Sequence, residues 1–239
     1  MAEKHIKNDY GKLRRFYDTV YYENAVAGTT VSGHLLRLAS KIKMRQGQRL
    51  LDVGCGSGKW LFAAIKRGTY PVGVDLSQKA IASCKKTLPW GEVCLGAAEA
   101  LPFHDKQFHV VSCLGSLEHF LDSESALEEI VRVARDDAIF LLLVPNADFL
   151  TRRLGLYGGT DQSAVREQVR TLTQWKELFE ASGLKVIQRW RDLHVLSWSW
   201  IANKKWYHIP VRSIQAIALL FWPLSWQYQV YHLCKKHKT

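Results

Sequence analysis

Acidic residues are scarce in this 239-residue sequence. It has 22 Asp and Glu against 33 Lys and Arg, a formal net charge of +11. That excess suits nucleic acid, anionic lipid or an acidic small molecule. It is spread along the chain, however, with only short clusters such as Lys12-Leu13-Arg14-Arg15 and Lys235-Lys236, so charge alone does not mark a nucleic-acid footprint. No Cys-x-x-Cys pair occurs among Cys55, Cys84, Cys94, Cys113 and Cys234. This argues against a zinc site and a disulfide framework, and leads us to expect reduced, mostly buried thiols in a cytoplasmic protein. The opening MAEKHIKNDYGKLRRF has no apolar stretch, so no secretory signal is expected there. The apolar run of the tail, Ala216–Leu224, is interrupted by Pro223 and is well short of the about 20 residues that span a bilayer. There is no internal repeat and no low-complexity linker. Hydrophobic residues at 47% and charged residues at 23% are an ordinary globular balance, enough for one sizeable domain or a domain with an extension.

Along the chain, strand-like and helix-like segments alternate. Residues 9–45 read as helical with a break near Gly28. Arg49–Val53 is a short apolar run ending in a glycine-rich turn, and reads as a buried strand. Residues 59–67 read as a helix stopping at Gly68. Tyr70–Val74 is the next strand, closed by Asp75, and Ser77 can cap a helix to about Lys86. Glu92–Leu95 and His109–Cys113 are further strands. Asp122 or Ser123 caps a helix with Leu127, Ile130, Val131 and Ala134 on one face. Ala138–Val144 is a central strand, Thr173 caps another helix, and Leu184–Trp190 alternates as a strand. The pattern predicts an α/β fold: a Rossmann-like, mostly parallel seven-stranded sheet with helices on both faces. Residues 1–191 form the expected catalytic domain with an N-terminal helical lid. Residues 192–239 form a Trp-rich helical C-terminal extension that packs on or extends the same domain.

The strongest signal is Leu50-Leu51-Asp52-Val53-Gly54-Cys55-Gly56-Ser57-Gly58. A strand running into alternating glycines and then a helix makes a tight turn whose backbone can approach a ligand closely. The helix N-terminus beyond it offers free N–H groups and positive potential. Asp75 ends the next strand, where a carboxylate can accept hydrogen bonds from both hydroxyls of a ribose. The spacing is Gly-x-Gly-x-Gly rather than the dinucleotide fingerprint Gly-x-Gly-x-x-Gly, so no pyrophosphate needs a cradle.

Asp52–Gly58 resembles the first motif of class I S-adenosylmethionine-dependent methyltransferases. Val72–Ser77 resembles the family's second strand and its ribose-binding acid. Ala98-Glu99-Ala100-Leu101-Pro102-Phe103 and Phe108-His109-Val110-Val111 resemble its adenine-side loop and fourth strand. The resemblance covers about residues 30–190 and is nearest to the small-molecule branch that includes ubiquinone-biosynthesis methyltransferases. It implies S-adenosylmethionine as cofactor. The backbone of Gly54, Cys55, Gly56 and Gly58 would hold its amino-acid end, with Asp52 orienting that end. Asp75 would bind the ribose with Leu76 beside it, Ala98 and Glu99 would lie at the adenine, and Leu114 near the methionine end. One departure stands out: the family often has Asp where this chain has Ala97, which removes a side-chain acceptor for the adenine amine.

Methyl transfer from a sulfonium is an in-line displacement that needs alignment, and a base when the acceptor is a hydroxyl. His119 is the candidate base and Glu118 can orient it; both follow the fourth strand. Glu118-His119 also resembles a metal-assisted subset of the family in which a further Glu three residues upstream is a ligand. Gly115 stands there, so no metal is assigned. Tyr17, Tyr21 and Tyr22 lie on the N-terminal segment that, in similar proteins, folds over cofactor and acceptor. Gly158-Gly159-Thr160-Asp161-Gln162 can shape an acceptor pocket or be a solvated turn. Six of nine tryptophans (Trp190, Trp198, Trp200, Trp206, Trp222 and Trp226) fall in the last fifty residues. They suit a peripheral membrane contact, a wall for a lipophilic acceptor, or a dimer interface. Three functions stay open: methyl transfer to a small or lipid-linked acceptor, a non-catalytic S-adenosylmethionine-binding module, and a nucleic-acid methyltransferase. The last lacks an Asn-Pro-Pro-Tyr-type motif and an RNA-binding appendage.

Overall fold

The computed structural model describes residues 2–23, 31–88, 91–157, 167–196 and 209–237. Seven strands form one sheet: β1 (Arg49–Val53), β2 (Tyr70–Asp75), β3 (Glu92–Leu95), β4 (Phe108–Leu114), β5 (Ala134–Pro145), β6 (Leu184–Arg191) and β7 (Gln229–Lys236). Their spatial order is β3-β2-β1-β4-β5-β7-β6. The pairs from β3 through β5 are parallel, and β7 runs antiparallel to both β5 and β6.

Alternation along the strands sends side chains to two cores, one on each face. Leu51, Val111, Phe140 and Leu142 pack with Leu127, Ile130, Trp175 and Phe179 of α5 (Ser123–Val133) and α7 (Leu172–Ala181). Leu50, Val110 and Leu141 pack with Leu38 of α2 (Gly33–Lys41), Trp60 and Leu61 of α3 (Lys59–Ile65), and Ile81 of α4 (Gln78–Thr87). Cover on both faces explains the unbroken apolar runs of the central strands. Of the remaining helices, α1 (Ala2–Phe16) leads through a π-helical turn, Tyr17–Tyr21, toward α2. α6 (Leu150–Arg153) and α8 (Ile209–Phe221) lie at the carboxyl end of the sheet or lead into it.

Ser77 caps α4 as expected, its Oγ accepting from Ala80 N–H. Asp122 rather than Ser123 caps α5, accepting from Glu124 and Ser125 N–H. The cap of α7 is Thr171, not Thr173: Thr171 and Gln174 form a reciprocal capping box. Ala134, expected on the face of α5, instead begins β5, which is longer than the expected 138–144. The larger correction is at the tail. Gln229–Lys236, expected in a helical extension, is a strand inserted between β5 and β6, with Val230, Tyr231, His232 and Cys234 buried. Among the described residues of this segment, helix is found at Ile209–Phe221, with short 3-10 turns at His194–Leu196 and Leu224–Trp226. Trp198, Trp200, Trp206 and Gly158–Gln162 lie outside the described residues.

Candidate functional site

The site begins where β1 runs out. Gly54 and Cys55 both donate backbone N–H bonds to Val74 O, which turns the chain over the end of β2. Gly54 and Gly58 need glycine for two reasons. Both have positive φ (76° and 80°), and a Cβ on them would come within 2.5 Å of Ser116 Oγ and Cys84 Sγ respectively. Gly58 is the left-handed N-cap of α3 and lies beneath the loop rather than on the cavity wall.

Asp75 ties the turn together. Its Oδ2 accepts from Gly56 N–H at 2.9 Å and its Oδ1 from Ser77 N–H at 2.8 Å. Burial raises its pKa, opposed by those two backbone bonds. Below it, Trp60 Nε1–H donates to Ser112 Oγ at 2.9 Å, and the Ser112 hydroxyl donates to Asp52 Oδ1 at 2.7 Å. Burial pushes the Asp52 carboxyl up to about 7 despite that bond.

These groups open on a cavity of about 600 Å³, within the ~300–1,000 Å³ of small-ligand pockets. Asp52, Gly54, Cys55, Gly56, Asp75, Leu76, Ala98, Glu99, Leu114, Tyr17, Tyr21, Tyr22 and His119 all line it. Gly58 and Glu118 do not. The loop Ala98–Phe103 is held by Arg132, which donates to the carbonyls of Leu101 and Phe103 and to the carboxylates of Glu129 and Asp105. Glu99 is already engaged: Oε1 accepts from Leu121 and Asp122 N–H, and its carboxylate takes the Tyr10 hydroxyl.

α1 and the π-turn close the cavity. Asp18 Oδ1 accepts from Ser77 Oγ–H at 2.6 Å and Lys79 N–H at 3.2 Å, fastening the π-turn to the start of α4. Tyr21 meets both Tyr17 and Tyr22 edge to face, and Tyr22 Oη lies 2.9 Å from where a Cβ on Gly56 would be. Tyr10, Leu13, Leu35, Trp60, Ser116 and Phe120 also line the cavity and were not singled out from the sequence. Tyr10 stands seven residues before Tyr17, the helical spacing that places both on one face, and was readable. Nothing local marks the others.

Beyond β4 the chain makes a short 3-10 turn, Leu117–His119. His119 is 7% exposed and burial lowers its pKa to about 4, so the imidazole is neutral at physiological pH. Glu118 is 3% exposed and burial raises its pKa to about 8. Glu118 Oε1 lies 4.0 Å from His119 Nε2, beyond a hydrogen bond.

Residues 51–142 match the family model described as "Methyltransferase domain". The chain is 31% identical over 170 residues to the uncharacterised methyltransferase YcgJ of Bacillus subtilis (strain 168), covering 66% of this chain and 65% of that protein. It is 32% identical over 108 residues to the ubiquinone biosynthesis O-methyltransferase of Azoarcus sp. (strain BH72), covering 43% of this chain and 46% of that protein. The matched region thus spans less than two thirds of either relative. Haemonchus contortus phosphoethanolamine N-methyltransferase 2, solved in complex with S-adenosyl-L-methionine, superposes with a TM-score of 0.65 at 17% identity, over 95% of this chain and 60% of that one. With the glycine bend and the acid at the end of β2 on the strands that the match covers, residues 51–142 are a methyltransferase domain of the class I S-adenosylmethionine-dependent kind.

Proposed function

We propose that the protein transfers a methyl group from S-adenosylmethionine to a small or lipid-linked acceptor, at a hydroxyl oxygen. The observation that carries this reading is Asp75: a buried carboxylate on the cavity wall, fixed by Gly56 and Ser77 beside a loop where side chains are excluded. That cradle fits a ribose lying against Asp75 and an amino-acid tail against the Gly54–Gly58 backbone. The cofactor, when bound, supplies a methyl already activated on a sulfonium. The chain's own residues do the rest. Leu76 and Ala98 offer apolar contact to the adenine. Glu99 is occupied by Leu121, Asp122 and Tyr10, so with Ala97 in place of the usual acid the adenine amine is left to backbone acceptors. Leu114 meets the methionine end. Tyr17, Tyr21 and Tyr22 exclude water and align the acceptor. His119, neutral and on the wall, receives the hydroxyl proton as the oxygen is methylated, with Glu118 behind it.

The lipid-linked alternative draws support from α8. The Arg191 guanidinium donates to the carbonyls of Leu219 and Leu220, holding α8 at the carboxyl end of β6. Ile214, Ile217 and Phe221 leave α8 exposed, Phe221 by 81%. No helix among the described residues is long and apolar enough to cross a membrane, so this contact would be peripheral.

The test is transfer of labelled methyl from S-adenosylmethionine to a panel of phenols, quinols and lipid-linked hydroxyls. We expect turnover with a member of that panel. His119→Ala should lower kcat by about 10²–10⁴ while leaving cofactor affinity nearly unchanged. An unchanged rate would remove His119 from this role. Tight cofactor binding without transfer to any acceptor would favour a binding module instead.

A further inference from the structure

We propose that Ser112, oriented by Trp60, is a positioning residue for the cofactor: it gives Asp52 a hydrogen-bond partner in both protonation states, so that binding of S-adenosylmethionine drives a proton off Asp52. The inference rests on S-adenosylmethionine as the cofactor. Three elements meet at the Ser112 hydroxyl. Ser112 is on β4 and fully buried, Trp60 is on α3, and Asp52 is on β1. Trp60 and Asp52 line the cavity; Ser112 does not. Trp60 Nε1–H donates to Ser112 Oγ at 2.9 Å. Ser112 Oγ itself lies 2.7 Å from Asp52 Oδ1 and 3.2 Å from Leu51 O, both acceptors. A hydroxyl carries one proton, so it cannot serve both at once.

The second acceptor gives the site two complete hydrogen-bond patterns. With Asp52 ionised, Ser112 accepts from Trp60 and donates to Asp52 Oδ1. With Asp52 protonated, the carboxyl O–H donates to Ser112 Oγ, and the serine proton turns to Leu51 O. Trp60 keeps its bond in both patterns, because the hydroxyl oxygen has two lone pairs. Neither pattern leaves the serine or the indole unpaired, so the proton can leave without stranding a buried group. Asp75 on β2, Cys55 in the glycine bend and Cys113 on β4 interact with Asp52 electrostatically. Lys59, Glu99, His119 and four tyrosines share the cavity with it. Burial, and to a lesser degree Asp75, opposes the carboxylate; the Ser112 bond favours it. In the proposed pose the cofactor's amino-acid end lies against the Gly54–Gly58 loop, and its ammonium tips the balance to the ionised pattern. The Asp52 O–H bond then breaks, its electron pair stays on the carboxylate, and the proton passes to buffer.

Two measurements test this. In the cofactor-free, full-length protein, the indole Nε1–H cross-peak of Trp60, identified by its loss in Trp60→Phe, is followed by ¹H–¹⁵N spectroscopy as pH is varied. We expect it to titrate with a midpoint of about 7, and to stay flat in Asp52→Asn. A flat wild-type peak, or the same titration in a folded Asp52→Asn protein, would overturn the proposal. In calorimetry with S-adenosylmethionine at about pH 6.5, buffers of different ionisation enthalpy count the protons exchanged. We expect release of about three-quarters of a proton per chain, and affinity about fivefold tighter at pH 7 than at about pH 6. Ser112→Ala should shift that pH dependence upward by about one unit, and Ser112→Thr should restore it. Binding with no proton release, or with an unshifted dependence in folded Ser112→Ala, would also overturn the proposal. Absence of any binding would instead contradict the cofactor reading, and the indole titration would still decide whether Ser112 links Trp60 to Asp52.

Discussion

Asp52 is the residue at which binding and stability pull apart. Its folded-state pKa is raised from 3.8 to about 7 by burial. The folded state therefore holds the proton more tightly than the unfolded chain, and stability falls as pH rises from about 4 to 7. Asp52→Asn should remove that cost, stabilising the protein at alkaline pH by up to about 4 kcal/mol and by little near pH 4. Urea melts at the two pH values measure it; equal effects at both would contradict it. Gly54 makes a different prediction. With φ at 76° and Ser116 Oγ 2.5 Å from its virtual Cβ, Gly54→Ala should cost about 1–3 kcal/mol, and Ser116→Gly in the same chain should restore part of that in a thermal melt. The glycine bend and Asp75 were legible in the sequence because their roles are local: a strand end, a turn, a helix start. The partners of Glu99 were not, since Leu121, Asp122 and Tyr10 reach it only through the fold.

Among the elements, β7 is the one the sequence concealed. Its residues follow an aromatic, nearly uncharged stretch, and their alternation is overshadowed by that composition. The strand earns its place only by pairing with β5 and β6, which lie far upstream. It carries a buried His232 whose pKa is lowered to about 4, mainly by desolvation. A base depressed in the folded state contributes stability that is present above about pH 6.5 and lost as pH falls toward 4. His232→Leu should remove about 3 kcal/mol of that acid sensitivity. A pH series of denaturation midpoints with the wild-type slope retained in the variant would contradict this. The lid is likewise an element held by few bonds. Asp18→Ala removes both ties to α4, and should speed S-adenosylmethionine release several-fold and raise amide exchange over residues 10–22. Unaltered exchange there would show that Asp18 does not fasten the lid.

At the scale of the whole molecule, the parallel half of the sheet and its helices could be read from periodicity and caps. The antiparallel end could not, because its order is set by long-range pairing. The same holds for the site: the glycine bend and Asp75 lie on consecutive βα turns, whereas His119 and the tyrosines of the N-terminal segment reach the cavity from distant parts of the chain. Everything proposed about activity depends on S-adenosylmethionine resting against Asp75. Isothermal titration of the purified protein with S-adenosylmethionine, beside a folded Asp75→Ala variant, tests this most directly. The account predicts one binding site per chain, weakened about 100-fold or more when the carboxylate and its two ribose bonds are lost. No heat of binding to the wild type, or equal affinity in the variant, would contradict it.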